Sequence, residues 1–154
     1  MDAINIATKT PLKANENLLH LIDTVFKYRY QILSNTYVDG FQYPDLEIRQ
    51  GGDIDSVDLT TGWVAGSPYI RATVYDENGI YQEDGNFPVR TSGEIFYPIF
   101  AFSCRESMFL LDFILKLFSE NEDYCVIGVN LKLMSYTDLK KCFVDDDPSW
   151  AYTE

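Results

Sequence analysis

The chain has 154 residues, 46% of them hydrophobic, and its 24 acids against 12 bases give a formal charge of −12. That length fits one domain with enough apolar material for a full core, and ten Phe, eleven Tyr and two Trp exclude the aromatic-poor composition of an acidic disordered chain. A strongly negative body repels nucleic acid and anionic membrane surfaces and steers basic partners toward itself.

The excess is local. Between Ser34 and Asp123 sixteen acids face five bases, a net −11, whereas the first 33 residues sum to +1 and the last 31 to −2. The opening MDAINIATKTPLK lacks the charged stretch and long apolar run of a signal peptide, and no apolar run reaches the roughly 18 residues of a membrane span. Cys104, Cys125 and Cys142 form neither a CxxC pair nor a zinc-ligand spacing. They fit small apolar residues in a reducing compartment, so a cytoplasmic location is expected.

In chain order, apolar residues from Leu18 to Leu33 recur at intervals of three and four, which predicts one long helix over Pro11–Leu33 that starts near Asn15 or Thr10-Pro11. Residues 36–68 are rich in turn pairs, with short strands expected at Leu46–Ile48 and Leu59–Val64. Tyr69–Tyr75 alternates, placing Ile70, Ala72 and Val74 on one face, and Asn78-Gly79 then signals a hairpin. Glu94–Phe102 predicts another strand, in which Pro98 marks an edge or a bulge. Ser103 and Glu106 have the spacing of a capping box ahead of a helix to Phe118, and the apolar surface of that helix is wide enough to require burial on more than one side. Cys125 to Leu133 alternates as one strand, and Ser135 is placed to cap a short helix through Phe143. These elements predict an α+β fold with one domain over residues 1–144. In it an antiparallel sheet of about four to six strands carries two main helices, and a loosely ordered acidic tail follows over 145–154.

The residues offer no assembled catalytic kit. His20 is the only histidine and lies between two leucines on the predicted helix, where general-base work would need an orienting acid and a nucleophile nearby. The acids at Asp53–Asp58 lack the central glycine and closing glutamate of an EF-hand, and in the segment starting at Asp76 the closing position is Phe87. Gly51-Gly52 stands alone as a turn signal, without a phosphate-binding motif around it. A non-enzymatic protein without metal or cofactor is the expectation.

Acids and aromatics interleave in two stretches. One contains Tyr37, Asp39, Phe41, Tyr43, Asp45 and Glu47, and the other Asp76, Glu77, Tyr81, Glu83 and Asp84. Asp53, Asp55 and Asp58 form a third, purely acidic cluster. Aromatic anchors supply interface energy, and a charged surround sets association rate and partner choice. These three groups are therefore the expected contact surface for a basic protein. The pattern suits an immunity protein that plugs the positive cleft of a bacterial nuclease toxin. The alternatives are a nucleic-acid mimic of the phage anti-defence type, and a small-ligand module or divergent enzyme. Acids concentrated in turns rather than along helices favour the plug.

Overall fold

The structure is a computed structural model that describes residues 4–10, 14–35, 45–51, 68–75, 88–91, 93–119, 121–128 and 132–151. Eight strands are present among them: β1 (Ile4–Thr8), β2 (Tyr30–Asn35), β3 (Asp45–Gln50), β4 (Tyr69–Val74), β5 (Val89–Thr91), β6 (Glu94–Ser103), β7 (Tyr124–Ile127) and β8 (Leu133–Ser135). Three helices accompany them: α1 (Ala14–Lys27), α2 (Ser107–Phe118) and α3 (Tyr136–Val144). The sheet order is β2-β3-β4-β6-β1-β7-β8, with β5 also paired to β6, and every pairing is antiparallel. The α+β class is as expected. The sheet is larger than four to six strands and the helices number three.

The main core lies between one face of the sheet and the helices. Strand alternation sends Leu46 and Ile48 of β3, and Ile70, Ala72 and Val74 of β4, into this core together with Tyr124 and Val126 of β7. The intervening Cys125 and Ile127 join Ala7, Val89 and Phe96 in a second, smaller buried cluster on the other face. α2 supplies Leu110, Leu111, Phe113, Ile114, Leu117 and Phe118, all buried. Six buried positions in twelve cannot face one neighbour, so α2 is covered by α1 and α3 as well as by the sheet. At roughly 1.5–3 kcal/mol for each large apolar side chain buried, this helix is the largest single contribution to the core.

Pro98 does mark a bulge, but in a central strand. Ile6 pairs with Phe100 while Ala7 pairs with Pro98, so Ile99 is the extra residue. The bulge lets Ile99 and Phe100 both enter the main core although they are sequence neighbours. The carbonyl of Ile99 accepts the Tyr75 amide at 3.0 Å, which holds the bulge against the end of β4.

Four sequence expectations need correction. The long helix ends at Lys27, and Ile32 and Leu33 belong to β2. Arg29 takes a left-handed conformation with φ 60° between helix and strand, and the three-and-four spacing merely continued by coincidence into an edge strand. Ile4–Thr8, read only for targeting signals, is an interior strand between β6 and β7. Ser103 ends β6 instead of capping α2, whose N-cap is Glu106 without a side-chain cap bond. Cys125–Leu133 is two strands of a hairpin, closed by the Gly128 amide donating to the Lys132 carbonyl at 3.0 Å. The strand expected at Leu59–Val64 and the hairpin at Asn78-Gly79 lie outside the described residues. Beyond α3, a 3-10 turn over Pro148–Ala151 places Trp150 in the main core, buried to 3% exposure. That turn lies within the span, from Asp145 onward, for which loose ordering is expected from sequence.

The helix at Ser135 forms as its residues specify. Ser135 Oγ accepts from the Asp138 amide at 3.2 Å, and the Asp138 carboxylate accepts from the Ser135 amide at 2.9 Å. The Ser135 backbone bond, then its hydroxyl bond, hold the Asp138 carboxyl below its ordinary range. Because the folded value is lowered, the contribution of this carboxylate is present above its unfolded pKa and is lost as pH falls through the folded one. Ser135→Ala should cost about 1 kcal/mol in chemical denaturation, and NMR titration should show the Asp138 carboxyl rising toward its ordinary value. The penalty of Asp138→Ala should shrink on acidification.

Gly51 explains how the corner at Arg29 is possible. A Cβ at position 51 would overlap the Arg29 carbonyl oxygen, a backbone atom that cannot swing aside. Gly51→Ala is therefore expected to lower stability by about 1–3 kcal/mol, the range of an overpacked site. An unchanged denaturation midpoint would mean that the corner relaxes around the methyl group.

Candidate functional site

Of the fourteen residues expected to meet a partner, only Asp45 and Glu47 fall among the described residues. Tyr37, Asp39, Phe41, Tyr43, Asp53, Asp55, Asp58, Asp76, Glu77, Tyr81, Glu83 and Asp84 lie outside them. Asp45 opens β3, paired with Asn35 on one side and Thr73 on the other. Glu47 is on the sheet face opposite the helices, where its carboxylate lies 3.6 Å from Arg49 and the side chain is 17% exposed. The Arg49 guanidinium in turn sits 4.8 Å from the centre of the Tyr69 ring. Much of the Glu47 charge is thus engaged within the sheet.

The strand register fixes where the flanks of the acidic stretches lie. Asn35, Asp45 and Thr73 align across β2, β3 and β4 at one end of the sheet. Residues 36–44 connect the first two, and residues 76–87 begin just past Thr73 and Val74. Val74 pairs with Phe100, and the chain comes back to the same long strand as β5, with Val89 opposite Phe96. Both acidic-aromatic stretches therefore leave the sheet at one end. Gln50, paired with Tyr30, and Tyr69, paired with Arg49, mark the opposite end, from which the connection carrying Asp53, Asp55 and Asp58 departs. Topology starts two of the three connections from one end of the sheet and the third from the other.

A different surface is built where the helices meet. Asp112, Leu115, Lys116 and Ser119 recur at three and four along α2 and line a groove of about 590 Å³. Tyr136, Lys140, Phe143 and Val144 of α3 form its other wall, and Lys27 and Tyr28 close one end where α1 turns into β2. Lys116 Nζ is 2.7 Å from Asp112 and 3.0 Å from the Tyr30 hydroxyl. Burial opposes the charge on Lys116, but these two hydrogen bonds outweigh it and hold the ammonium above its ordinary range. Burial likewise raises the Tyr30 hydroxyl, with Lys116 acting against that rise. Lys27 Nζ is 5.4 Å from the Tyr28 ring centre and Lys140 Nζ 5.9 Å from that of Tyr136. Neither makes an ion pair among the described residues. On a chain of −12, this groove is a local concentration of positive charge among aromatics. Sequence reading missed it because Lys27, Lys116 and Lys140 are far apart in the chain, and extending α1 to Leu33 concealed the Lys27-Tyr28 corner. The spacing of Tyr136, Lys140, Phe143 and Val144 was the one available signal.

The titratable groups examined for chemistry have structural roles here. His20 Nε2 donates to the Leu117 carbonyl at 2.9 Å, and its ring stacks on Tyr124 with centroids 5.6 Å apart, tying α1 to α2 and β7. Among the described residues, no group of three or more His, Cys, Asp and Glu is placed to hold a metal ion. No helix among them is long and apolar enough to cross a membrane. Burial raises all three thiols, Cys125 to about 11, and nearby Asp147, Asp138 and Asp145 add to the rise at Cys142. Raised thiols are poor nucleophiles. At neutral pH a soluble alkylating reagent should modify half-buried Cys142 slowly, and Cys104 and Cys125 only after denaturation; mass spectrometry of native and unfolded protein checks the order.

Compared with known proteins, the chain matches no family model, no curated protein and no solved structure.

Proposed function

We propose that the protein binds and inhibits a basic protein through the acidic-aromatic stretches at one end of its sheet, as an immunity protein does when it plugs the positive cleft of a nuclease toxin. One observation carries this reading. The register of β2, β3 and β4 gives Tyr37–Tyr43 and Asp76–Asp84 neighbouring points of departure, although they are some forty residues apart in the chain. Aromatic anchors joined to a dense negative surround are the combination that yields fast capture and slow release, and the shared departure point supports a joint surface. The charge distribution supports the same reading. An excess of −11 between Ser34 and Asp123 burdens the folded state with self-repulsion, which a basic partner would relieve. A nuclease cleft shaped for phosphate offers the complementary field.

The test is capture by the immobilised protein from lysate of the source cells. A basic protein should be retained at about 0.01 M salt and released toward about 1 M, as the screening length falls from about 30 Å to about 3 Å. A captured nuclease whose activity the protein abolishes supports the reading. Capture of a large nucleic-acid-binding assembly would favour the mimic, and no salt-sensitive partner would sink both. With a partner in hand, reversing Asp76, Glu77, Glu83 and Asp84 should slow association by about tenfold or more. Reversing Asp53, Asp55 and Asp58, at the other end, should change it much less. Equal effects would show that the binding surface is not confined to one end.

A further inference from the structure

The groove between α2 and α3 is complementary to another surface of the same molecule. Glu16, Leu19, Asp23 and Phe26 are spaced three, four and three apart on α1, so they form one stripe, and all four are exposed. Leu19 is 60% exposed and Phe26 69%. Two acids alternate with these open apolar side chains along the stripe. The groove offers the converse: Lys27, Lys116 and Lys140 among Tyr28, Phe143 and Val144, the last 74% exposed. Of the six large hydrophobic residues exposed among the described residues, five belong to the stripe or the groove.

We propose that the groove receives the exposed face of α1 from a second copy of this chain, in a two-fold dimer. Charge complementarity identifies the occupant, since an apolar stripe carrying Glu16 and Asp23 fits a groove with apolar walls in which Asp112 engages Lys116 and leaves Lys27 and Lys140 to meet the two acids. Adjacency supplies the symmetry. Lys27 and Tyr28 follow directly from Phe26, so stripe and groove adjoin on each copy. A two-fold axis between them lets both copies insert α1 at once, which closes the assembly. An amphipathic helix seated between two helices is an established mode of recognition. The formal −12 on each copy opposes the approach. The dimer is accordingly expected at high protein concentration and moderate salt, where a screening length of about 8 Å removes long-range repulsion and leaves the contacts. The proposal uses none of the acidic-aromatic residues, so its fate does not depend on the inhibitor reading.

Sedimentation of the full chain, from micromolar to millimolar concentration, tests the proposal with two variants. One reverses the groove, Lys27→Glu with Lys140→Glu, and the other reverses the stripe, Glu16→Lys with Asp23→Lys. Each alone should weaken self-association by about tenfold or more. Mixing them should restore the dimer, because positions 27 and 140 of each groove again face a stripe of opposite charge, and Lys116 stays paired with Asp112. Far-UV circular dichroism confirms that each variant is folded, and Leu19→Ser, at an exposed position, serves as a second stripe variant that should also dissociate. A wild-type chain that stays monomeric throughout overturns the proposal. So do variants that still self-associate fully, or reversed variants that dissociate but fail to pair when mixed.

Discussion

The packing of α2 against β6 is the constraint on which the other elements depend. Phe100 and Phe102 of β6 stack with ring centres 5.4 Å apart, and Phe102 meets Phe113 of α2 edge-on at 5.9 Å. Phe113 continues to Tyr30 at 5.1 Å, and Phe118 meets Tyr124 at 5.4 Å, so ring contacts tie α2 to β2 at one point and to β7 at another. With six of its twelve positions fully buried, α2 needs cover on more than its sheet side. The chain supplies it with α1, α3 and the turn bearing Trp150, and leaves the Asp112–Lys116 side open to the groove. β6 bears the matching demand from the sheet, pairing with β1, β4 and β5 along its ten residues. Its bulge allows Ile99 and Phe100 to face the same core.

That arrangement also sorts charge. The helical layer draws α1 and α3 from the two ends of the sequence, where the net charge is close to neutral, whereas the acids concentrate in the middle, largely in connections between strands. A sheet whose strands are half buried has little room for carboxylates within it, and connections at the sheet ends leave them hydrated. Lys27 and Lys116 lie in the last turns of α1 and α2, where the helix dipoles favour cations. Folding brings them beside Lys140 and produces a basic surface on an acidic molecule. The acidic end and the basic groove thus follow from the same division between helices and strand connections.

The parts legible from sequence were those whose signals are local and redundant. β4 alternates over six residues, nine of the twelve α2 positions are apolar, and Ser135 caps α3; each was placed within a few residues. The misreadings were also local. The periodicity of α1 ran on into β2 because Ile32 and Leu33 fall at helical spacing, and nothing short of the contact between Gly51 and the Arg29 carbonyl says where the helix must stop. β1 has five residues with Thr8 at its end, too few to declare a strand, yet it pairs on both edges. Ser103 and Glu106 have capping-box spacing, but β6 claims Ser103 for its last pairing with Arg71.

By itself the sequence determined the class of the fold, the buried helix, an interrupted ladder at Pro98 and the confinement of negative charge to the middle of the chain. Composition, periodicity and charge density are properties of neighbouring residues, and they survive without knowledge of the partners. Tertiary structure alone decided which distant residues share a place: the common departure of two acidic-aromatic stretches from one end of the sheet, the start of the connection after Gly51 at the other, and the meeting of Lys27, Lys116 and Lys140 in a groove. Strand register and helix packing set those neighbours, and both are fixed by long-range pairing that no local pattern encodes.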